Sequence, residues 1–321
     1  MRKRIAAIFA VLAACVAVPA QAQQFPSRPV RLVVPYPPGG ANDIVARLIT
    51  PTMSEHLGAN FIVDNRGGGA TIIGSEIVAK AAPDGYTILI IAAGHAANPS
   101  LYPKLPYDTA RDFAPVALIG DGAYVLVAHP TLGVASAAEL ISLAKAKPGE
   151  ITYASSSTGN LTHLAAELFS SLAGVKMLHV PYKGGGPAMT DLLGGRVGLF
   201  FSTVAVARPH IQAGRIKALG VTTAKRTMAL PSVPTIAEAG LPGYEASGWY
   251  GLAAPAKTPA PVIAKLHEAV QAATRPEATR EKLLASGVEA ADMSSEQFGR
   301  RILADIAKWE KVIKPLGIRT D

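Results

Sequence analysis

Strand-like and helix-like stretches alternate along this 321-residue chain, which predicts an α/β fold with mainly parallel sheets, divided between two lobes. Short apolar runs such as Val30–Val34 and Tyr86–Ala92 read as buried strands, and stretches of helical period lie between them. Loops of small residues join strand to helix at Pro37–Asn42, Gly67–Thr71, Ser155–Asn160 and Gly184–Pro187. The length allows about two domains of ~150 residues each.

The chain opens with Arg2, Lys3 and Arg4, the apolar stretch Ile5–Val18, Pro19 and an A-x-A site at Ala20–Ala22. This is the pattern of a secretory signal peptide over residues 1–22, too short and Ala-rich to span a bilayer comfortably. Leu12–Cys15 resembles a lipoprotein processing box. The apolar run continues past Cys15 and the A-x-A site follows, so soluble release is favoured over lipid attachment at Cys15. Cys15 is the only cysteine, and its removal leaves no disulfide to form.

Residues 23–122 are expected to give the first part of lobe one. Its elements are strand Val30–Val34, helix Asp43–His56 with Pro51 as a kink point, strand Phe61–Val63, loop Asn65–Ala70, helix Thr71–Ala81, a turn at Pro83–Gly85 and strand Tyr86–Ala92. Val116–Ile119 and Ala123–Ala128 read as one long strand interrupted at Gly120–Gly122, a first crossing between lobes. Residues 123–225 then make lobe two. It holds helix Ser136–Ala146, capped by Ser136 and stopped by Pro148 and Gly149, strand Ile151–Ala154 and helix Asn160–Leu172. Strand Lys176–Val180, a helix opening at Pro187, strand Val197–Phe201, helix Val204–Gln212 and strand Ile216–Val221 complete it. Residues 226–321 return to lobe one. The loop-rich stretch Thr223–Tyr244 holds the return crossing, followed by strand Gly248–Ala254 and helices Pro261–Ala273, Glu277–Ala285 and Ser295–Ile313.

Bare loops at the carboxyl ends of strands are where open α/β sheets bind ligands. Glycines let a ligand approach the main chain, and a helix start offers unpaired N–H groups with a partial positive charge. Pro35–Asp43 therefore reads as a site for a small anion. Nucleotides fit poorly, because the chain has no G-x-x-x-x-G-K-[ST] and no G-x-G-x-x-G after a strand. The net charge of +8 falls by three without Arg2, Lys3 and Arg4, and aromatics are 6% of the chain with no interleaved basic cluster, which argues against nucleic acid. His56, His95, His129, His163, His179, His210 and His267 show no metal-ligand spacing. A serine hydrolase using Ser155–Ser157 with His163 and Asp191 is the enzymatic alternative. It lacks the leading glycine of G-x-S-x-G. His163 reads as packing or donating to a ligand, His179 as structural, Trp249 and Tyr250 as core or hinge, and Trp309 as core.

Further motifs are Pro35–Asp43 (PYPPGGAND), Val63–Ala70 (VDNRGGGA), Ala82–Thr87 (APDGYT), Pro148–Ala154 (PGEITYA), His179–Ala188 (HVPYKGGGPA), Leu192–Gly195 (LLGG), Arg226 with Leu230–Thr235 (LPSVPT), Glu238–Gly240 (EAG) and Trp249–Pro255 (WYGLAAP). In these the chain resembles the Bug (TctC-type) extracytoplasmic solute receptors of tripartite tricarboxylate transporters, over essentially the whole mature length. The resemblance implies a two-lobe type II periplasmic-binding-protein fold with a cleft between the lobes, and no catalysis. It also implies a small carboxylate ligand (a dicarboxylate, tricarboxylate, amino acid or aromatic acid) handed to membrane permease subunits. A sensor partner is the alternative.

In that family main-chain amides and ordered waters hold the carboxylate. The corresponding residues here are Tyr36, Gly39, Gly40, Ala41, Asn42 and Asp43 in one loop, and Ser155, Ser156, Ser157 and Thr158 with Thr162 and His163 in the other. Gly69, Ala70, Ala93, Tyr182 and Gly184, from the remaining strand ends, complete the candidate set. No arginine clamp, cofactor, metal or nucleic acid is expected, and the protein is expected to be periplasmic and monomeric.

Overall fold

Val30, Leu32, Val33 and Val34 are fully buried in strand β1 (Val30–Val34), because a parallel strand covered on both faces has no solvent side. The computed structural model describes residues 25–317. The signal-peptide reading of residues 1–22 and the box at Cys15 lie outside the described residues.

β1 pairs in parallel with β2 (Phe61–Asn65) and β3 (Thr87–Ala92). β4 (Phe113–Gly122) belongs to the same sheet, whereas β5 (Tyr124–Ala128), β6 (Thr152–Ser155), β7 (Leu178–Pro181), β8 (Leu199–Thr203) and β9 (Lys217–Val221) form a second one. β10 (Gly248–Pro255), buried along its whole length, runs antiparallel between β3 and β4, and β11 (Val288–Ala290) pairs antiparallel with β4. The orders are β11-β4-β10-β3-β1-β2 and β7-β6-β8-β5-β9.

Two expectations change here. The sheets are mixed rather than mainly parallel, because β5 and β10, the strands next to the two crossings, run against their neighbours. Gly120–Gly122 is also no interruption. These residues end β4 in register with β10, and the break comes at Ala123. The glycines are there for close approach: a Cβ on Gly120 would meet Glu289 O of β11 at 2.4 Å.

The helices up to the end of the second sheet are α1 (Ala41–Leu57), α2 (Ile72–Ala79), α3 (Asn98–Leu101), α4 (Ala137–Ala146), α5 (Leu161–Ala173), α6 (Gly185–Leu193) and α7 (Val204–Gln212). α1 starts two residues before the expected Asp43 and carries Pro51 inside it without ending. α6 starts at Gly185 rather than Pro187, and Asn160 is the cap of α5 rather than its first residue. At the C-terminal end, α8 (Ala260–Thr274) packs on α1, α9 (Glu277–Ala285) follows, and α10 (Ser295–Leu316) packs on β4. A reciprocal Ser294–Gln297 capping box starts α10. Trp249 and Trp309 are buried, the former donating its indole N–H to Asp305 Oδ2 at 2.6 Å. β11 and α3 are too short to have been legible as periodic patterns. No helix among the described residues is long and apolar enough to cross a membrane.

Candidate functional site

Residues from the ends of strands in both sheets line one cavity of about 290 Å³. Its first wall is the start of α1. Gly40 is the N-cap, with φ −78° and ψ 166°; its carbonyl accepts from Ile44 N–H at 3.0 Å, but it has no side chain to cap the first turn. The amides of that turn therefore have no cap, and Ala41 and Asn42 line the cavity. Asn42 Oδ1 is buried without a hydrogen-bond partner.

Asp43 is turned the other way. Its carboxylate accepts from Gly39 N–H (2.9 Å), Arg47 Nε (3.0 Å) and Asn65 Nδ2 (3.0 Å). Burial works to raise its pKa, but hydrogen bonds from Arg47, Gly39 and Asn65 outweigh it and hold the carboxyl below its ordinary value. The amide of Gly39 is thus already taken. Its φ of +80° favours glycine.

The second wall is the loop after β6. Ser156 N–H donates to Thr162 Oγ1 (2.8 Å), the Thr162 hydroxyl donates to Asn160 Oδ1 (2.6 Å), and the same oxygen caps α5 by accepting from His163 N–H (3.2 Å). Next to it, Gly184 N–H donates to Ser156 O (2.7 Å), and α6 begins with no side-chain cap. Gly185, Gly186 and Pro187 complete this side. The rest of the lining is aromatic or aliphatic, chiefly Tyr124, Tyr250, Leu161 and Val206. Burial raises the pKa of both the Tyr124 and the Tyr250 phenol. Tyr36 is raised as well, first by burial and then by Tyr124, Tyr107 and Tyr102. Lys183, exposed, is the one charged residue of the lining among the described residues.

A second cavity of about 790 Å³ lies beyond the Tyr36–Pro38 turn, between Gly67–Gly69 and Ser156–Thr158. Tyr36, Pro37, Pro38, Ser156, Lys183 and Gly184 line both cavities, and a methyl group on Gly184 would lie 3.6 Å from Pro37 Cγ.

Among the residues the sequence singled out, Tyr36, Gly39, Gly40, Ala41, Asn42, Ser156, Thr162 and Gly184 line the first cavity. Gly69, Ser157, Thr158 and Tyr182 line the second. Asp43, Ala93, Ser155 and His163 line neither. Sequence reasoning passed over Lys183, although it stands in a loop already marked by its glycines. It also passed over Tyr124 and Val206, whose apolar surroundings make them look like core.

The hydrolase alternative has a visible counterpart, since Ser155 Oγ lies 2.7 Å from His179 Nε2. Ser155 is fully buried, however, and donates to Ser157 O (3.1 Å). Asp191 is held by the Tyr182 hydroxyl (2.7 Å) and Arg196 (2.6 Å). Neither Ser155 nor His179 lines either cavity. Burial, then the neighbouring His179, pushes the pKa of His163 down to about 3, and burial pushes His179 down to about 4, so both rings are neutral near pH 7.

Comparison with known proteins accords with a binding site. Protein BugT of Bordetella pertussis (strain Tohama I) is 36% identical over 311 residues, covering 96% of this chain and 95% of BugT. The solved R. palustris protein Rpa4515 with adipate is 42% identical with a TM-score of 0.89, over 92% of this chain and all of that one. MatC of Rhodopseudomonas palustris with bound malate is 33% identical with a TM-score of 0.85, over 90% of this chain and all of that one. The family and its structural neighbours are binding receptors rather than enzymes. The profile of the tripartite tricarboxylate transporter family receptor (TctC) matches residues 45–318, and the chain belongs to that family of periplasmic solute-binding receptors.

Proposed function

We propose that this protein captures a small carboxylate in the cavity between its lobes and delivers it to the permease of a tripartite transporter. The observation that carries the reading is the uncapped start of α1, whose first turn lines a cavity shared by both sheets. A carboxylate there would take the main-chain donors of Ala41 and Asn42 and the favourable end of the helix dipole. The start of α6 would supply a second donor surface from the other lobe. Adipate in Rpa4515 and malate in MatC are small dicarboxylates, and the reading extends that class to this chain.

Lobe one would comprise residues 23–122 and 226–321, and lobe two residues 123–225. The crossings would fall at Ala123 and between β9 and β10. Closure over the ligand would join the walls and give the permease a form to recognise. The protein would reach the periplasm through the signal peptide at residues 1–22 and act as a monomer.

A thermal-shift screen of the mature protein over carboxylates, sugars and metal cations tests this. A ligand at ~100 times its dissociation constant adds ~2.7 kcal/mol to stability. Shifts with adipate, malate or related acids are expected, and shifts confined to sugars or cations would overturn the carboxylate reading. Delivery is tested by uptake of the same acid in cells with and without this protein.

A further inference from the structure

The Ser155–Gly159 loop is held from behind by two imidazoles from different elements. His163, in the first turn of α5, accepts the Gly159 N–H on Nδ1 at 3.1 Å. His179, in β7, has its Nε2 2.7 Å from Ser155 Oγ at the other end of the loop. The rings stack with centroids 4.0 Å apart and 14° between planes. Tyr153, opposite His179 in the β6–β7 register, extends the stack at 5.0 Å.

Donor and acceptor roles fix the protons. Nδ1 of His163 accepts, so its proton sits on Nε2, 3.7 Å from Glu167 Oε1. Ser155 donates its hydroxyl to Ser157 O, so His179 must donate to Ser155 from Nε2. Glu167, which also accepts the Tyr153 hydroxyl, is the acid facing the pair.

We infer that His163 and His179 are positioning residues for the ligand loop. Neither lines a cavity, yet each anchors one end of the loop that does. The inference rests on the reading of the cavity as a carboxylate site, and it gives acid a specific effect. Protonated on Nδ1, His163 can no longer accept from Gly159, and a second cation on His179 would lie against it. Tyr153, His179 and Glu167 are the titratable groups facing His163, and Glu167 alone among them would offset the new charge. The lowered pKa values of both histidines agree with rings kept neutral.

The test uses the purified protein, with adipate as probe. Long-range ¹⁵N correlation spectra should show His163 protonated on Nε2 only. His163→Phe keeps a ring in the stack but removes the acceptor. It should speed exchange of the Gly159 amide and weaken adipate binding by about tenfold each, with His163→Gln recovering most of both. Three results would overturn the inference: a proton on His163 Nδ1, a His163→Phe variant with exchange and affinity both unchanged, or faster exchange with unchanged affinity. If His163→Phe fails to fold, the wild-type tautomer decides. Should the wild type bind neither adipate nor any other carboxylate, the carboxylate reading falls, and the exchange and tautomer measurements still decide whether the histidines hold the loop.

Discussion

Helices α1 and α5 both begin at the cavity, one from each lobe, and they treat their first turns in opposite ways. α1 has a glycine at its cap, and its nearest acid, Asp43, is turned back to hold Gly39 and Arg47. α5 is closed by Asn160, whose Oδ1 accepts from both His163 N–H and Thr162. Every helix N-terminus starts with unpaired N–H groups and a partial positive charge. α1 leaves them open to the cavity, whereas α5 uses them to hold its own loop. On the proposed reading, this contrast gives charge recognition to the open start of α1 and shape to the closed start of α5.

The largest effect should come from acid, because the loops of the two lobes are held by different groups. The folded pKa values of His163 (about 3) and His179 (about 4) lie below the ordinary histidine value of 6.5, so the unfolded chain binds more protons in that window. Stability is then fully present above pH ~6.5 and is lost as pH falls toward ~4, by up to about 1.4 kcal/mol per pH unit for each histidine. Buried His95, pushed down to about 4, adds to the slope. Asp43, with its lowered pKa, keeps its contribution until pH falls below the carboxylate's ordinary 3.8. Calorimetry against pH measures the slope. Amide exchange should show Gly159 losing protection at a higher pH than Gly39, and equal loss would break the comparison.

Gly40→Val attacks the open end directly. The φ of Gly40 is allowed to any residue, and an added Cβ would meet only Pro37 O, at 3.5 Å, so folding should be nearly unchanged. Affinity for adipate should fall on the order of 100-fold if the first-turn amides hold the carboxylate. Parallel titration and melting curves check this, and equal loss of binding and stability would mean that the glycine serves only the turn.

Asn160→Ala uncaps the closed end. It should cost about 1 kcal/mol of stability and weaken adipate binding less than Gly40→Val does. The reverse ranking would exchange the roles of the two helices. The smallest effect belongs to Lys183→Ala. An exposed cation at the rim should change affinity only a few-fold, and that difference should fade as salt is raised.

How much of this was legible in sequence depended on what each residue signals. Val30–Val34 and Glu277–Ala285 stand where their patterns put them, since burial and helical period are written in side-chain chemistry. The reversed direction of β5 and β10 was not legible, because hydrophobicity reports what is covered and not which way the neighbour runs. The bare loops announced themselves through glycine and proline. Tyr124, Val206 and Tyr250 did not, because the apolar lining of a cleft reads like core until the second lobe is placed against it. Ser155 and His163 stand outside both cavity linings. Their side chains suggest chemistry, but both are buried behind the loop.

The most direct test of the central claim is ¹⁵N amide shift mapping of the protein during titration with adipate. If the open end of α1 receives the carboxylate, the amides of Ala41 and Asn42 should move most, while that of Gly39, held by Asp43, moves little. Saturable adipate binding that leaves Ala41 and Asn42 unmoved would contradict the account.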